Sequence, residues 1–297
     1  MPLPIPPLRL IVTGTGGRLG AALARELRQR HRLVAWDRKA LDLSVPAQIA
    51  DHFGALAFDA VIHCAALTNL DYCQQHPRQA RAVNADAPAH IAALCASRGA
   101  RLIHLSTDYV YDGSTPGLRR ESDPSLPLSV YARTKADAEQ AVLAAHPDFL
   151  VARASWIYGP DRPSFPDSII ERAQQSAQCR AISDKWSSPS YSRDLALLLE
   201  ALLLNPQARG IVNLCNAGSC SWLEYGQAAL DLAYQVGVPL RCRTLSPQSC
   251  AEMPGFLAER PRHTGMDSSR LASLTGLAVR PWREALADYI GTFYGRA

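Results

Sequence analysis

Leu8-Arg-Leu-Ile-Val-Thr13, followed directly by Gly14-Thr-Gly-Gly-Arg-Leu-Gly20, decides the fold of this 297-residue chain. The first run is aliphatic and reads as a buried strand, and Leu19–Arg30, apolar at 19, 23 and 27, reads as a helix. Between them Gly14, Gly17 and Gly20 stand three residues apart. Without Cβ atoms, such a turn lets the chain bend tightly and lets a pyrophosphate approach the backbone. The N–H groups at the start of the following helix then face the phosphates. A glycine-rich turn alone also suits a merely structural loop. Its place in a first β-α-β unit near the N-terminus is what marks a dinucleotide site.

Working outward, the alternation continues. Strands are expected at Arg32–Trp36, Ala60–Cys64, Arg101–Leu105 and Phe149–Ala154. Helices are expected at Ala47–Phe53, Gln79–Arg98 and around Tyr131–Ala145. Repeated β-α units with short apolar strands imply an α/β fold, a Rossmann-type doubly wound parallel sheet covered on both faces. After Trp156 the pattern loosens. Pro160, Pro163 and Pro166 mark a loop, with helices at Ser168–Gln178, Ser192–Leu204 and Leu223–Val236 and a last one beginning near Pro281. Residues 1–156 are thus expected to form the dinucleotide-binding domain. Residues 157–297 mainly form a smaller substrate-binding lobe, with later segments returning to the sheet.

Composition excludes several classes. Hydrophobic residues make up 47% and charged ones 20%, which suits an ordinary globular protein rather than a disordered one. The net charge of +4 is spread out with no run of five like charges, so nucleic acid is not an expected partner. Met1–Pro7 is proline-rich and too poor in apolar residues for a signal peptide. Leu195–Leu204 is broken by Glu200 and falls short of a membrane span. A cytoplasmic protein is expected, its eight cysteines present as thiols. Cys73 and His76 have a metal-like spacing but no second pair, so no metal site is expected.

Asp37 ends the second strand, where an acid binds an adenosine ribose and favours NAD. Arg38 and Lys39 follow at once and suit a 2′-phosphate, which favours NADP; a solvated acid–base turn is the plain alternative. Tyr131-Ala-Arg-Thr-Lys135 places a phenol and an ammonium four residues apart on one helix face. A nearby cation stabilises the phenolate, bringing a group of ordinary pKa near 10 into range for proton transfer. Ser106-Thr107-Asp108-Tyr109-Val110 follows an apolar strand, at the end where parallel sheets bind ligands. Ser and Asp side chains there also suit a simple turn.

These elements resemble the extended short-chain dehydrogenase/reductases, and within them the dTDP-4-dehydrorhamnose reductases. Leu102–Gly113, Pro127–Lys135 and Arg153-Ala-Ser-Trp-Ile-Tyr-Gly159 carry the likeness. It extends through Ala181-Ile-Ser-Asp184, Ser188-Pro-Ser190, Gly218–Tyr225 and Arg260-Pro261, so it covers nearly the whole chain. The resemblance implies that Tyr131 is the general acid and that Lys135 tunes it and binds the nicotinamide ribose. It implies that Thr107 adjusts the tyrosine and, with Asp108, contacts a sugar. Trp156 would pack against that substrate, although a tryptophan after a strand is often only core. For the cofactor, NADPH or NADH, it implies Gly14, Gly17, Arg18 and Leu19 at the pyrophosphate and Asp37, Arg38, Asp42 and Leu43 around the adenosine. Ala65, Ala66, Leu67 and Leu105 would line the nicotinamide side.

Certain positions depart from the family pattern. His63-Cys64-Ala65-Ala66 replaces a common Asn-Ala-Ala run, and Leu67 replaces a polar or aromatic residue. Asn69-Leu-Asp-Tyr-Cys-Gln-Gln75 lacks an acidic ending, and Ser129 and Ala132 stand where Asn and Gly are frequent. The implied activity is reduction of the 4-keto group of a 6-deoxy sugar nucleotide, with that small molecule as partner and a homodimer admitted. Alternatives are a reductase or epimerase of the same fold on another nucleotide sugar or ketone. A different class of alternative is a non-catalytic subunit related to the methionine adenosyltransferase regulatory subunit.

Overall fold

The computed structural model describes residues 6–253 and 255–295; Met1–Ile5, part of the N-terminal stretch weighed above, lies outside them. Six strands form one sheet: β1 Arg9–Thr13, β2 Arg32–Trp36, β3 Ala60–His63, β4 Arg101–Thr107, β5 Leu150–Ala154 and β6 Gly210–Leu214. Every pairing is parallel, and the order is β6-β5-β4-β3-β1-β2. The chain steps from β1 outward to β2 and then crosses back to β3, so the order reverses beside β1. Crevices open at such a reversal, outside the carboxyl ends of the strands.

Period-two alternation explains why both faces are covered. Leu10 and Val12 of β1 face one aliphatic core, and Ile11 faces the other. The first core is closed by α1 (Arg18–Leu27), α8 (Ser192–Leu204) and α10 (Ser269–Thr275). The second is closed by α2 (Pro46–Gly54), α5 (Ala87–Ser97) and α6 (Val130–Ala145). A third, aromatic-rich core lies in the lobe among α7 (Phe165–Gln175), α9 (Trp222–Gln235) and α11 (Trp282–Tyr294). No helix among the described residues is long and apolar enough to cross a membrane.

Some expectations need correcting. The helix expected over Gln79–Arg98 begins earlier, as α4 (Pro77–Arg81), and passes through a π-helical turn, Ala82–Asp86, before α5. Pro88 has no N–H, and its ring clashes with the carbonyl four residues before it in a regular helix. The wider turn, closed by the Ala87 N–H on the Ala82 carbonyl, carries the chain past it. Helix α7 starts three residues before the expected Ser168. Pro166 lies in its first turn rather than in a loop, and Asp167 accepts the Ser164 N–H at 2.7 Å to cap it. The short helix α3 (Leu70–Gln75), capped by Asn69, and the sixth strand β6 were not foreseen. Pro281 caps α11 from just outside rather than opening it.

Candidate active site

A crevice of about 830 Å³ runs along the carboxyl ends of the sheet, and every site residue named from the sequence lines it. At one end is the glycine turn. Gly14 sits at φ +73°, and a Cβ there would lie 2.6 Å from the Ala65 nitrogen; one on Gly20 would run into the Gly14 carbonyl. The bare Gly14 lets the ends of β1 and β3 come together, and the bare Gly20 lets α1 pack on the turn. Gly17 caps α1 without any side-chain bond, so the first-turn N–H groups of Arg18 and Leu19 remain free. Such a turn fits a pyrophosphate. The Arg18 side chain reaches elsewhere, donating to the carbonyls of Arg162 (3.2 Å) and Pro163.

Beside the turn, one oxygen of Asp37 accepts the N–H groups of Lys39 and Ala40, both at 2.9 Å, leaving Arg38 and Lys39 on the rim. Asp42 is held below the usual carboxylate range by the hydroxyl and N–H of Ser44. Leu43, buried, closes this end.

Further along, Ala65, Ala66 and Leu67 form a wall. The Ala65 N–H donates to the Thr13 hydroxyl at 3.3 Å. Both backbone groups of Leu67 are gripped by Asn84, whose side chain accepts its N–H at 2.8 Å and donates to its carbonyl at 3.0 Å. Asn84 sits fully buried in the π-helical turn. The sequence signal that points to it is the Pro88 that forces the turn.

The opposite wall carries the titratable groups. Ser129 caps α6, and Tyr131 and Lys135 project one helical turn apart, 8% and 2% exposed. Burial pushes the Tyr131 phenol above its ordinary pKa, and Thr107 pulls it back. Burial also pulls the Lys135 ammonium down to about 8, with Glu139 opposing. The Lys135 Nζ donates to the Leu105 carbonyl at 2.6 Å.

Thr107 ends β4. Its hydroxyl accepts the Tyr109 N–H and donates to Asp108, both at 3.2 Å. The other Asp108 oxygen accepts Ser155 at 2.9 Å and Thr264 at 2.7 Å. Burial raises the Asp108 pKa, and the buried Lys185 cation together with these hydroxyls holds it back. The geometry therefore turns this carboxylate toward protein donors and makes it an anchor for Thr107. Ser155, Lys185 and Thr264 escaped the sequence reading because they lie far apart in the chain.

Trp156 is the one non-glycine among the described residues at positive φ, +44°. Such a conformation costs about 1–2 kcal/mol for an L-residue and persists where packing overrides it. The packing is plain: the indole stacks on Phe165 at 5.6 Å and meets Trp222 and Tyr225 at 4.9 and 5.1 Å. Arg162 adds a lobe cation to the same wall. Cys73 donates to the Leu67 carbonyl and His76 stacks on Tyr72, so the two are engaged separately.

Comparison with known proteins agrees with this geometry. Residues 8–294 match the family model described as the RmlD substrate binding domain. A dTDP-4-dehydrorhamnose reductase of Mycobacterium tuberculosis is 38% identical over 94% of this chain and 91% of its own. A spore coat polysaccharide biosynthesis protein of Bacillus subtilis is 30% identical over 95% and 96%. A crystal structure of dTDP-4-dehydrorhamnose reductase from Bacillus anthracis, in complex with NADP, superposes with a TM-score of 0.88 at 28% identity. The match covers 96% of this chain and 99% of that one. The glycine cradle, the crevice at the strand reversal and a match across nearly the whole chain lead to one statement: this protein belongs to the RmlD substrate binding domain family.

Proposed function

We propose that this protein is an NAD(P)H-dependent oxidoreductase that reduces the 4-keto group of a 6-deoxy sugar nucleotide, converting dTDP-4-dehydro-L-rhamnose to dTDP-L-rhamnose. One observation carries the proposal. Thr107, Tyr131 and Lys135 line the same crevice whose far end is the glycine cradle, so a dinucleotide seated on the cradle reaches the phenol.

Gly14, Gly17, Arg18 and Leu19 hold the pyrophosphate through backbone N–H groups, and Asp37, Arg38, Asp42 and Leu43 surround the adenosine. Ala65, Ala66, Leu67 and Leu105 flank the nicotinamide. Bound there, NADPH or NADH supplies a hydride to the carbonyl carbon. Tyr131 protonates the carbonyl oxygen as the C–O bond becomes single, so that oxygen ends as a hydroxyl still bound to carbon and the phenol as a phenolate. Lys135, as an ammonium, stabilises that phenolate and binds the ribose hydroxyls. Thr107, its hydroxyl held by Asp108, adjusts the Tyr131 phenol and with Asp108 contacts the sugar. Trp156 supplies an apolar floor for the sugar. Residues 1–156 mainly serve the dinucleotide and 157–297 mainly the sugar nucleotide. The eight unpaired cysteines suit a cytoplasmic setting.

The test is nicotinamide absorbance during turnover of enzymatically generated dTDP-4-keto-6-deoxy-L-mannose, with NADPH and NADH in parallel. Rapid oxidation of one of them is the expected result. If both cofactors bind and neither is oxidised, the substrate assignment fails, and a panel of UDP-linked and other keto sugars replaces it.

A further inference from the structure

Two histidines stand at paired positions on neighbouring strands, His63 at the end of β3 and His104 in β4. Both are buried, 1% and 0% exposed, and their rings stack with centroids 5.3 Å apart and planes 20° apart. Two buried imidazoles are costly unless they are hydrogen-bonded. The Thr13 hydroxyl lies 2.8 Å from His63 Nδ1, and Lys135 Nζ lies 3.1 Å from His104 Nε2. The other nitrogens, His63 Nε2 and His104 Nδ1, have no partner among the described residues. Thr13, His63, His104 and Lys135 therefore form one row. It starts at the residue before the glycine turn, crosses β1, β3 and β4, and ends on α6.

Charge settles the protonation of that row. A cationic His104 would face the Lys135 ammonium at hydrogen-bond distance, and burial, Lys135 and His63 all hold its pKa well below the ordinary value. Burial and then Lys135 hold His63 down to about 3. His104 is thus neutral, with Nε2 unprotonated as an acceptor and the ring proton on Nδ1. An ammonium has three N–H donors on a flexible stem. Leu105 and His104 each take one inside the protein, which leaves the third for the crevice.

We propose that His104 is a positioning residue for Lys135: its Nε2 lone pair, with the His63 ring and Thr13 packed behind it, fixes the direction of the ammonium and keeps it charged. This role rests on Lys135 being the ribose-binding cation. The groups facing that ammonium are Glu139 on α6, Cys64 after β3, and the two neutral imidazoles. Glu139 is itself tied to the Arg153 guanidinium at 2.6 Å, and burial keeps Cys64 a thiol, its pKa pushed up to about 12. A hydrogen bond to a charged form favours that form, so losing the His104 acceptor pulls the Lys135 pKa further down.

Two variants separate the acceptor from the ring. His104→Phe keeps a stacked ring without an acceptor; His104→Gln keeps an acceptor without a ring. Each is titrated with NADPH by fluorescence from neutral to alkaline pH, and Lys135 Nζ is followed by NMR in the NADP-bound protein. No sugar nucleotide is present, so failure here is distinct from failure of the substrate assignment. The Phe protein is expected to lose affinity at an alkaline midpoint about one pH unit lower, a roughly tenfold change in the ratio of protonated to neutral Lys135. The Gln protein is expected to keep the wild-type midpoint. An unmoved midpoint in His104→Phe, or a downward shift in His104→Gln, overturns the proposal. Should the Phe protein not fold, the Gln protein still decides: an unmoved midpoint without the ring sustains the acceptor role, and a moved one ends it.

Discussion

The sheet half and the lobe half of this molecule line the crevice by different means. In the first, the lining is mostly backbone: a glycine turn, the free start of α1, and a wall at Ala65–Leu67 gripped by Asn84. In the second it is mostly side chain. On that side Trp156, Ile157 and Arg162 line the crevice, Phe165, Trp222 and Tyr225 back the indole, and the segment Leu257–Thr264 is held by charged groups from elsewhere. Asp71 of α3 accepts the N–H groups of Leu257 and Ala258 and pairs with Arg260 at 2.8 Å. Lys185 donates to the Pro261 carbonyl, and Asp108 accepts from Thr264. Backbone sites are set by the dihedral freedom of a few positions and tolerate little change there. Side-chain sites are assembled from distant residues and can be altered by degrees.

That contrast can be broken at its junction first. Tyr131→Phe removes the acid but leaves the cradle untouched, so turnover should fall by about 10²–10⁴-fold while NADPH affinity stays near wild type. Wild-type turnover in that protein would dismiss Tyr131 as the acid. On the backbone side, Gly14→Ala adds a Cβ against the Ala65 backbone at an unfavourable φ. A combined penalty of about 3 kcal/mol falls on the turn itself, so the protein should lose stability by about that amount and bind cofactor more weakly. Calorimetric titration with NADPH checks it, and an unchanged Kd would mean that the cradle is not where the pyrophosphate sits.

On the side-chain side, Asp71→Ala removes an anionic acceptor from two N–H groups and Arg260. Substrate KM should rise about tenfold, with cofactor affinity unchanged, in keeping with about 1.5 kcal/mol for a charged hydrogen bond. Equal losses for both ligands would dissolve the distinction between the halves. The smallest effect concerns Trp156. Because its φ is +44°, Trp156→Gly should be about 1 kcal/mol more stable than Trp156→Ala, the reverse of the order in a regular element. Denaturant unfolding of the two proteins measures the difference.

The sheet half was the more legible in the sequence for the same reason. Aliphatic runs such as Leu10–Val12 and Ala60–Ile62 leave little choice but buried parallel strands, and glycines at 14, 17 and 20 report a backbone requirement locally. Tyr131 and Lys135 lie one helical turn apart, so their juxtaposition follows from chain geometry alone. Helix α3, the π-helical turn at Ala82–Asp86 and strand β6 were not readable in this way. The π turn is a compromise between the Pro88 ring and the packing of the surrounding helix. Strand β6, Gly210–Leu214, gains its partner only when the chain returns to β5 from the lobe.

By itself, then, the amino-acid sequence determined the α/β class, the glycine turn before α1 and the pairing of phenol with ammonium. Each depends on residues within a few positions of one another, where covalent geometry dictates the result. Only the tertiary structure decided the rest: that the Arg18 side chain points to the 162–163 carbonyls, that Ser155 and Thr264 hold Asp108 in place, and that His104 supports Lys135 from the next layer. In each of these the deciding contact is a hydrogen bond between segments up to 156 residues apart, as between Asp108 and Thr264. No local pattern encodes such a contact; it forms because burial leaves the polar atom no other partner.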